Sequence, residues 1–164
     1  MRALTPAQLL IDGHCLIVLE RTLQAAAPEE GCALLLGDRA GSSLRVEWIW
    51  PCRNIWQPAE ERRRRFSLDP REQLLAQRWC RSRGLSVLGA AHSHPCSEAV
   101  PSDIDRQLCM GPTLMLIRSG LAPEPTALRA WWIPEWDADV PLPQPSELAI
   151  QVGVAGTGAE HLGE

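Results

Sequence analysis

Downstream of Asp12, the apolar residues Leu16, Leu19, Leu23 and Ala26 recur at intervals of three and four, the period at which one stripe of a helix faces a core. Asp12 stands where a side-chain oxygen can cap the first turn, and Pro28 where a helix must stop. The pattern then changes. The stretch "GCALLLG" at 31–37 is a continuous apolar run between glycines, as in a strand covered on both faces. In "SLRVEWIWP" at 43–51, Leu44, Val46, Trp48 and Trp50 alternate with Arg45, Glu47 and Ile49. That two-residue period predicts a half-exposed strand, hairpin-paired to the previous one across "GDRAGS". A polar loop, "RNIWQPAEERRRR", occupies 53–65.

In "SLDPREQLLAQRWCRSRG" at 67–84, Asp69 is a predicted N-cap and Pro70 takes the first helical position. Leu75 lies over Trp79 one turn on, and Gly84 falls just past the end. The remainder reads as a strand in "LSVLGAAHSH", a short helix in "SDIDRQLC", a buried strand in "PTLMLIR" and another strand in "ALRAWWIP". Helices interleaved with strands in this order predict a mixed α/β (α+β) domain in which a sheet packs against helices, over residues 1–135. Residues 136–150 form a proline-rich extension in which "ELAIQVGV" starts a candidate edge strand, and 151–164 read as a disordered tail.

Composition narrows the class. With 164 residues, 45% of them hydrophobic, the chain can bury a core without staples. A net charge of −4 gives no support for nucleic-acid binding over the whole surface. No apolar run approaches the roughly 20 residues of a membrane span, and "MRALTPAQLL" lacks the features of a signal peptide, so a cytoplasmic protein without a membrane partner is expected. The six cysteines are scattered with no CxxC pair, which predicts reduced thiols and no four-cysteine zinc site. All 16 basic residues are arginine. Codon bias accounts for that; avoidance of lysine by a protein handling lysine-linked substrates is the alternative.

The candidate chemistry lies in "AAHSHPCSEAVPSDID" at 90–105. Residues i and i+2 of a strand point to one face, so His92 and His94 can converge on one ion while Ser93 faces away. Alone, such a pair is as well explained by hydrogen-bonded histidines at a strand end. Asp105 changes the balance: it follows Ser102 by three residues, so both side chains can face the end of the strand. Two imidazoles and a carboxylate would leave zinc a fourth, open position, the arrangement of catalytic rather than structural sites.

These residues resemble the signature of the JAMM (MPN-plus) metallopeptidases: an early glutamate, His-x-His, seven residues, then Ser-x-x-Asp. The match runs through His92, His94, Ser102 and Asp105, with Pro95 after the second histidine. Upstream, "APEEGCALLLG" resembles the segment that carries the family's glutamate and aligns Glu30 with it, although adjacent Glu29 has the same chemistry; Ala33 stands where glycine is usual. Asn54 and "RFSLDP" at 65–70 resemble the family's central segment, and the compact size, without long insertions, resembles its prokaryotic branch. The resemblance implies a cytidine-deaminase-like fold with a curved mixed sheet. It implies a Zn2+ cofactor on His92, His94 and Asp105, with Glu30 as general base and Ser102 as oxyanion donor.

The implied substrate is a ubiquitin-like or sulfur-carrier protein, cut after its C-terminal Gly-Gly. A silent binding module, or a relative of the RadC branch, is the competing reading. Cys96, His14 and His161 are read as ordinary residues. The arginine run 62–65 is read either as a solvated loop or as a docking patch for an acidic carrier. Oligomeric state is left open.

Overall fold

A computed structural model describes residues 4–109, 111–124, 126–137, 139–142 and 144–153. In chain order the elements are β1 (Gln8–Asp12), α1 (Gly13–Ala25), β2 (Cys32–Ala40) and β3 (Ser43–Cys52). A 3-10 turn at Ala59–Glu61 precedes α2 (Pro70–Arg81), β4 (Ser86–His94) and α3 (Asp103–Gln107). β5 (Thr113–Ser119), β6 (Leu128–Ile133) and β7 (Ser146–Gly153) follow, the last elements among the described residues. Both long helices start where side-chain chemistry demands. Asp12 accepts a hydrogen bond from Cys15 N at 2.7 Å and Asp69 from Arg71 N at 2.9 Å, each relieving an unpaired backbone donor.

The sheet differs from the curved mixed sheet that the resemblance implies. It closes as a seven-stranded barrel in the order β1-β3-β2-β4-β5-β6-β7, with β7 returning to β1. Two strands make the closure. β1, which apolar periodicity does not separate from the helix that starts one residue later, pairs in parallel with β3 on one side and β7 on the other. β7 is accordingly no edge: Ala130–Trp132 of β6 pair with its first half and Gln8–Asp12 with its second. Its second partner, β1, lies at the opposite end of the chain, so no local pattern announces that pairing. Closure flanks β1 on both sides, while β3 beyond Val46 is paired with β2 alone. The tail reading for 151–164 falls partly on β7; residues 154–164 lie outside the described residues.

Three apolar clusters hold the frame. Cys15, Leu19 and Leu23 of α1 pack on residues from all seven strands, among them Leu9, Leu35, Val46, Ala91, Leu116, Trp132 and Leu148. The opposite face of β2 carries Leu34 and Leu36 against Ala76 and Cys80 of α2. Ala99, Met115, Ile117, Trp131 and Ile133 form a third cluster. β4 runs between β2 and β5, antiparallel to the first and parallel to the second. Gly89 lets it lie close to β5, since a Cβ there would stand 1.8 Å from the Leu114 carbonyl oxygen. Among the described residues no helix is long and apolar enough to cross a membrane.

Candidate metal centre

β4 ends on His92, Ser93 and His94, all buried. Residues 95–101 turn the chain back, and α3 opens with Ser102 as N-cap. Its first turn is a capping box: Ser102 Oγ accepts from Asp105 N at 3.1 Å, and Asp105 Oδ2 accepts from Ser102 N at 2.9 Å. The second of these bonds folds the Asp105 carboxylate back toward the strand end. The same Oδ2 lies 3.1 Å from His92 Nε2 and 3.2 Å from His94 Nε2, and the two Nε2 atoms are 3.0 Å apart. The three atoms form an almost equilateral triangle. Tetrahedral ligands at about 2.0–2.1 Å from zinc stand about 3.3 Å apart, so only slight expansion would seat the ion.

Proton placement argues for a cation. His94 Nδ1 is 2.7 Å from the Glu98 carbonyl oxygen. A carbonyl can only accept, so Nδ1 carries the proton and a neutral His94 presents its Nε2 lone pair to the triangle. Burial pushes the His92 pKa down, against the pull of Asp105, and so keeps this ring neutral. Two imidazole nitrogens and a carboxylate oxygen thus converge on one point, a ligand set that suits a divalent metal once both Nε2 atoms carry lone pairs, while the buried His92 Nδ1 has no hydrogen-bond partner. Burial disfavours charge on His94, but the hydrogen bonds to Asp105 and the Glu98 carbonyl, with the charges of Asp105 and Glu30, raise its pKa overall. Asp105, despite burial, is held well below the usual carboxylate range by both histidines and Ser102 N.

Glu30 stands just upstream of β2, 4% exposed. Its Oε2 is buried with no hydrogen-bond partner. Desolvation pushes its pKa up to about 8; His94 and Arg65 oppose the shift and Asp105 adds to it. Glu30 therefore feels the ligand cluster without belonging to it. Its backbone is fixed from the loop at 53–65. Glu30 N donates to the Arg62 carbonyl at 2.8 Å and its carbonyl accepts from Asn54 Nδ2 at 3.0 Å. Asn54 also donates to the Arg65 carbonyl and accepts from Trp56 N and Ser67 N. The arginine run thus contributes backbone carbonyls to this scaffold, with Arg63 and Arg64 exposed.

Other groups were not singled out from the sequence. Phe66, the one phenylalanine, stacks on the His92 ring at 4.3 Å and 20°. Its signal lay in the "RFSLDP" stretch, yet nothing in that stretch says which ring it covers. A groove of about 480 Å³ runs from His92 and Asp105 along β4, walled by Trp56, Phe66 and Gln77 on one side and Pro112 on the other. A second cavity, of about 580 Å³ between β6 and β7, holds none of the three metal-competent residues. Ser102 is exposed. Its hydroxyl oxygen is engaged by Asp105 N, which leaves its proton free to donate. Cys96 is an exposed free thiol and His14 an exposed residue of α1; His161 lies outside the described residues.

Comparison with known proteins fits this geometry. A family model described as prokaryotic homologs of the JAB domain matches residues 15–134. A protein named desampylase, from Haloferax volcanii, is 34% identical over 98 residues, which cover 58% of this chain and 67% of that protein. Tail tip assembly protein K of Escherichia phage N15 is 31% identical over 86 residues; the match spans 52% of this chain and only 30% of the phage protein. Among solved structures, protein DSY2949 from Desulfitobacterium hafniense superposes with a TM-score of 0.76 at 30% identity, covering 94% of this chain and 99% of that one. A protein from Salinibacter ruber gives 0.59 at 26% identity, with 87% and 90% covered.

Proposed function

This chain belongs to the prokaryotic homologs of the JAB domain, and on that premise we propose that it is a zinc-dependent metallopeptidase. Its substrate would be a peptide or isopeptide bond after the C-terminal Gly-Gly of a ubiquitin-like or sulfur-carrier protein. The observation that carries the reading is the pairing of a triangle of three ligand-competent atoms with a nearby buried carboxyl whose Oε2 has no partner. A binding module has no need of such a carboxyl. The similarity to a protein named desampylase supports hydrolysis of a modifier conjugate.

His92, His94 and Asp105 would hold zinc, which supplies a Lewis acid and a water whose pKa falls to about 7. The remaining work falls to the chain's own residues. Glu30 accepts a proton from the attacking water as its oxygen bonds to the terminal glycine carbonyl carbon. Ser102 donates its free hydroxyl proton to the oxyanion that develops on that carbonyl. Glu30 then delivers its proton to the departing amine as the C–N bond breaks, leaving a carboxylate on the carrier. An extended tail would reach the centre along the groove beside β4. Glycines suit its end because a backbone without Cβ can approach closely.

The test combines zinc content with cleavage of two probes, a linear fusion of a Gly-Gly-terminated ubiquitin-like domain to a fluorescent protein and the same domain in isopeptide linkage to lysine. Wild-type protein is expected to bind one zinc and cut at least one probe. Glu30→Gln should keep its zinc and slow cleavage by about 10²–10⁴-fold, whereas His92→Ala should lose both. Cleavage by Glu30→Gln at the wild-type rate removes the assigned base; stoichiometric zinc and carrier binding without turnover would make the protein a binding module.

A further inference from the structure

The middle residue of His92-Ser93-His94 does not face away into an empty role. The β2–β4 ladder reaches Cys32 opposite His92. One step further, Gly31 and Ser93 stand as the next antiparallel pair, and half of the expected exchange is present: Ser93 N donates to the Gly31 carbonyl at 3.1 Å. The other half is altered. Gly31 N donates to Ser93 Oγ, not to the Ser93 carbonyl, at 2.8 Å and in a buried setting. A hydroxyl reaching out from the strand moves the acceptor off the ladder line, so β2 leaves its partner one residue from Glu30.

Gly31 is closed in from its other side as well. A Cβ there would stand 2.8 Å from the Leu23 carbonyl oxygen and 2.9 Å from Leu23 Cα, so the peptide cannot retreat toward α1. With Glu30 N on the Arg62 carbonyl and the Glu30 carbonyl on Asn54 Nδ2, all four backbone polar groups of Glu30–Gly31 are held. The carboxyl they present keeps an oxygen without a partner. A fixed backbone carrying an unengaged head group is what a proton-transferring side chain requires.

We propose that Ser93 is a positioning residue: its Oγ, set between two metal-competent histidines on the same strand, anchors Gly31 and thereby fixes Glu30 relative to the ligand triangle. Spacing of the ligands and placement of the base then depend on one strand end. The consequence for turnover rests on the hydrolase reading; the anchoring itself does not.

The test uses zinc-loaded full-length protein and the variants Ser93→Ala, Ser93→Thr and Ser93→Val, the last two matched in volume. Amide exchange at Gly31 is followed by NMR, together with zinc stoichiometry and, on the fluorescent-protein fusion, kcat and KM. In Ser93→Ala and Ser93→Val, Gly31 should exchange at least about 100-fold faster and kcat should fall by about 10–100-fold. KM should stay within about twofold and zinc at one per chain, since no ligand is touched and the groove is intact. Ser93→Thr should restore protection and turnover, which a loss of packing alone would not allow. Should Ser93→Ala fold poorly, the threonine–valine pair decides by itself. Unchanged Gly31 protection without the hydroxyl overturns the proposal, as does unchanged kcat once Gly31 has opened. If wild-type protein cuts neither probe, the hydrolase reading falls, and Gly31 exchange alone decides whether Ser93 anchors the Glu30 segment.

Discussion

Asp105 and Glu30 are both buried carboxyls whose charges act on His94, and their pKa values move in opposite directions. Burial penalises the charge on each. Asp105 offsets that penalty with two imidazoles and a backbone N–H on one oxygen. Glu30 has the His94 and Arg65 charges at a distance, the Asp105 charge against it, and no partner for Oε2. Partners, not depth, decide whether a carboxyl is held as an anion or poised to exchange a proton, and groups pushed apart in this way mark out distinct chemical tasks.

The sharpest way to break the comparison is to remove the anionic member. Asp105→Ala should weaken zinc binding by more than about 100-fold, beyond the 10–100-fold typical of an outer-shell contact, as measured by competition with a chromogenic chelator. Retained zinc affinity would mean the triangle is not the metal site. Next in size, Ser102→Ala should lower kcat by about 10²–10³-fold at saturating zinc if its hydroxyl serves the oxyanion. It should also cost about 1 kcal/mol in denaturant unfolding, because the N-cap is lost. A stability loss without the kinetic one would leave Ser102 as a cap alone.

The two carboxyls also predict opposite pH dependences for the metal-free protein. Glu30 titrates near 8 when folded against an ordinary 4.5. Its stabilising share is therefore complete below about pH 4.5 and disappears as pH climbs through about 8. Asp105 is shifted below its ordinary 3.8, so its share is present above that value and disappears as pH falls. In chelator-treated samples, Glu30→Gln should therefore be more stable than wild type at pH 9 by roughly 2–4 kcal/mol, with the gap narrowing toward pH 5. A gap that does not change with pH would contradict the shifted Glu30. The smallest effect expected is that of Phe66→Leu, which removes the ring stacked on His92. It should cost about 0.5–1.5 kcal/mol beyond its lost area in thermal or denaturant melts while leaving zinc stoichiometry at one.

Much of the centre was legible because its parts are local. His92, His94 and Asp105 lie within fourteen residues on a strand, a turn and a capped helix, so their spacing allows the side chains to meet at one point. The helix starts at Asp12 and Asp69 were legible for the same reason: a cap needs only its own next few residues. What spacing could not convey is which distant segment each group meets. The direction of the Ser93 hydroxyl depends on Gly31, 62 positions away. Resemblance to the family's central segment marked Asn54, but did not show that five backbone groups of residues 30–67 would gather on it.

The chain by itself therefore determines the helices, most of the strands and the residues of the candidate metal centre, since periodicity, caps and ligand spacing act over a few residues. Only the tertiary structure decides that the sheet closes, through β1 and β7 pairing across nearly the whole length of the chain. It alone decides that Glu30 arrives buried with an unpartnered oxygen. Both outcomes are set by long-range pairing and desolvation, which depend on what surrounds a residue in space.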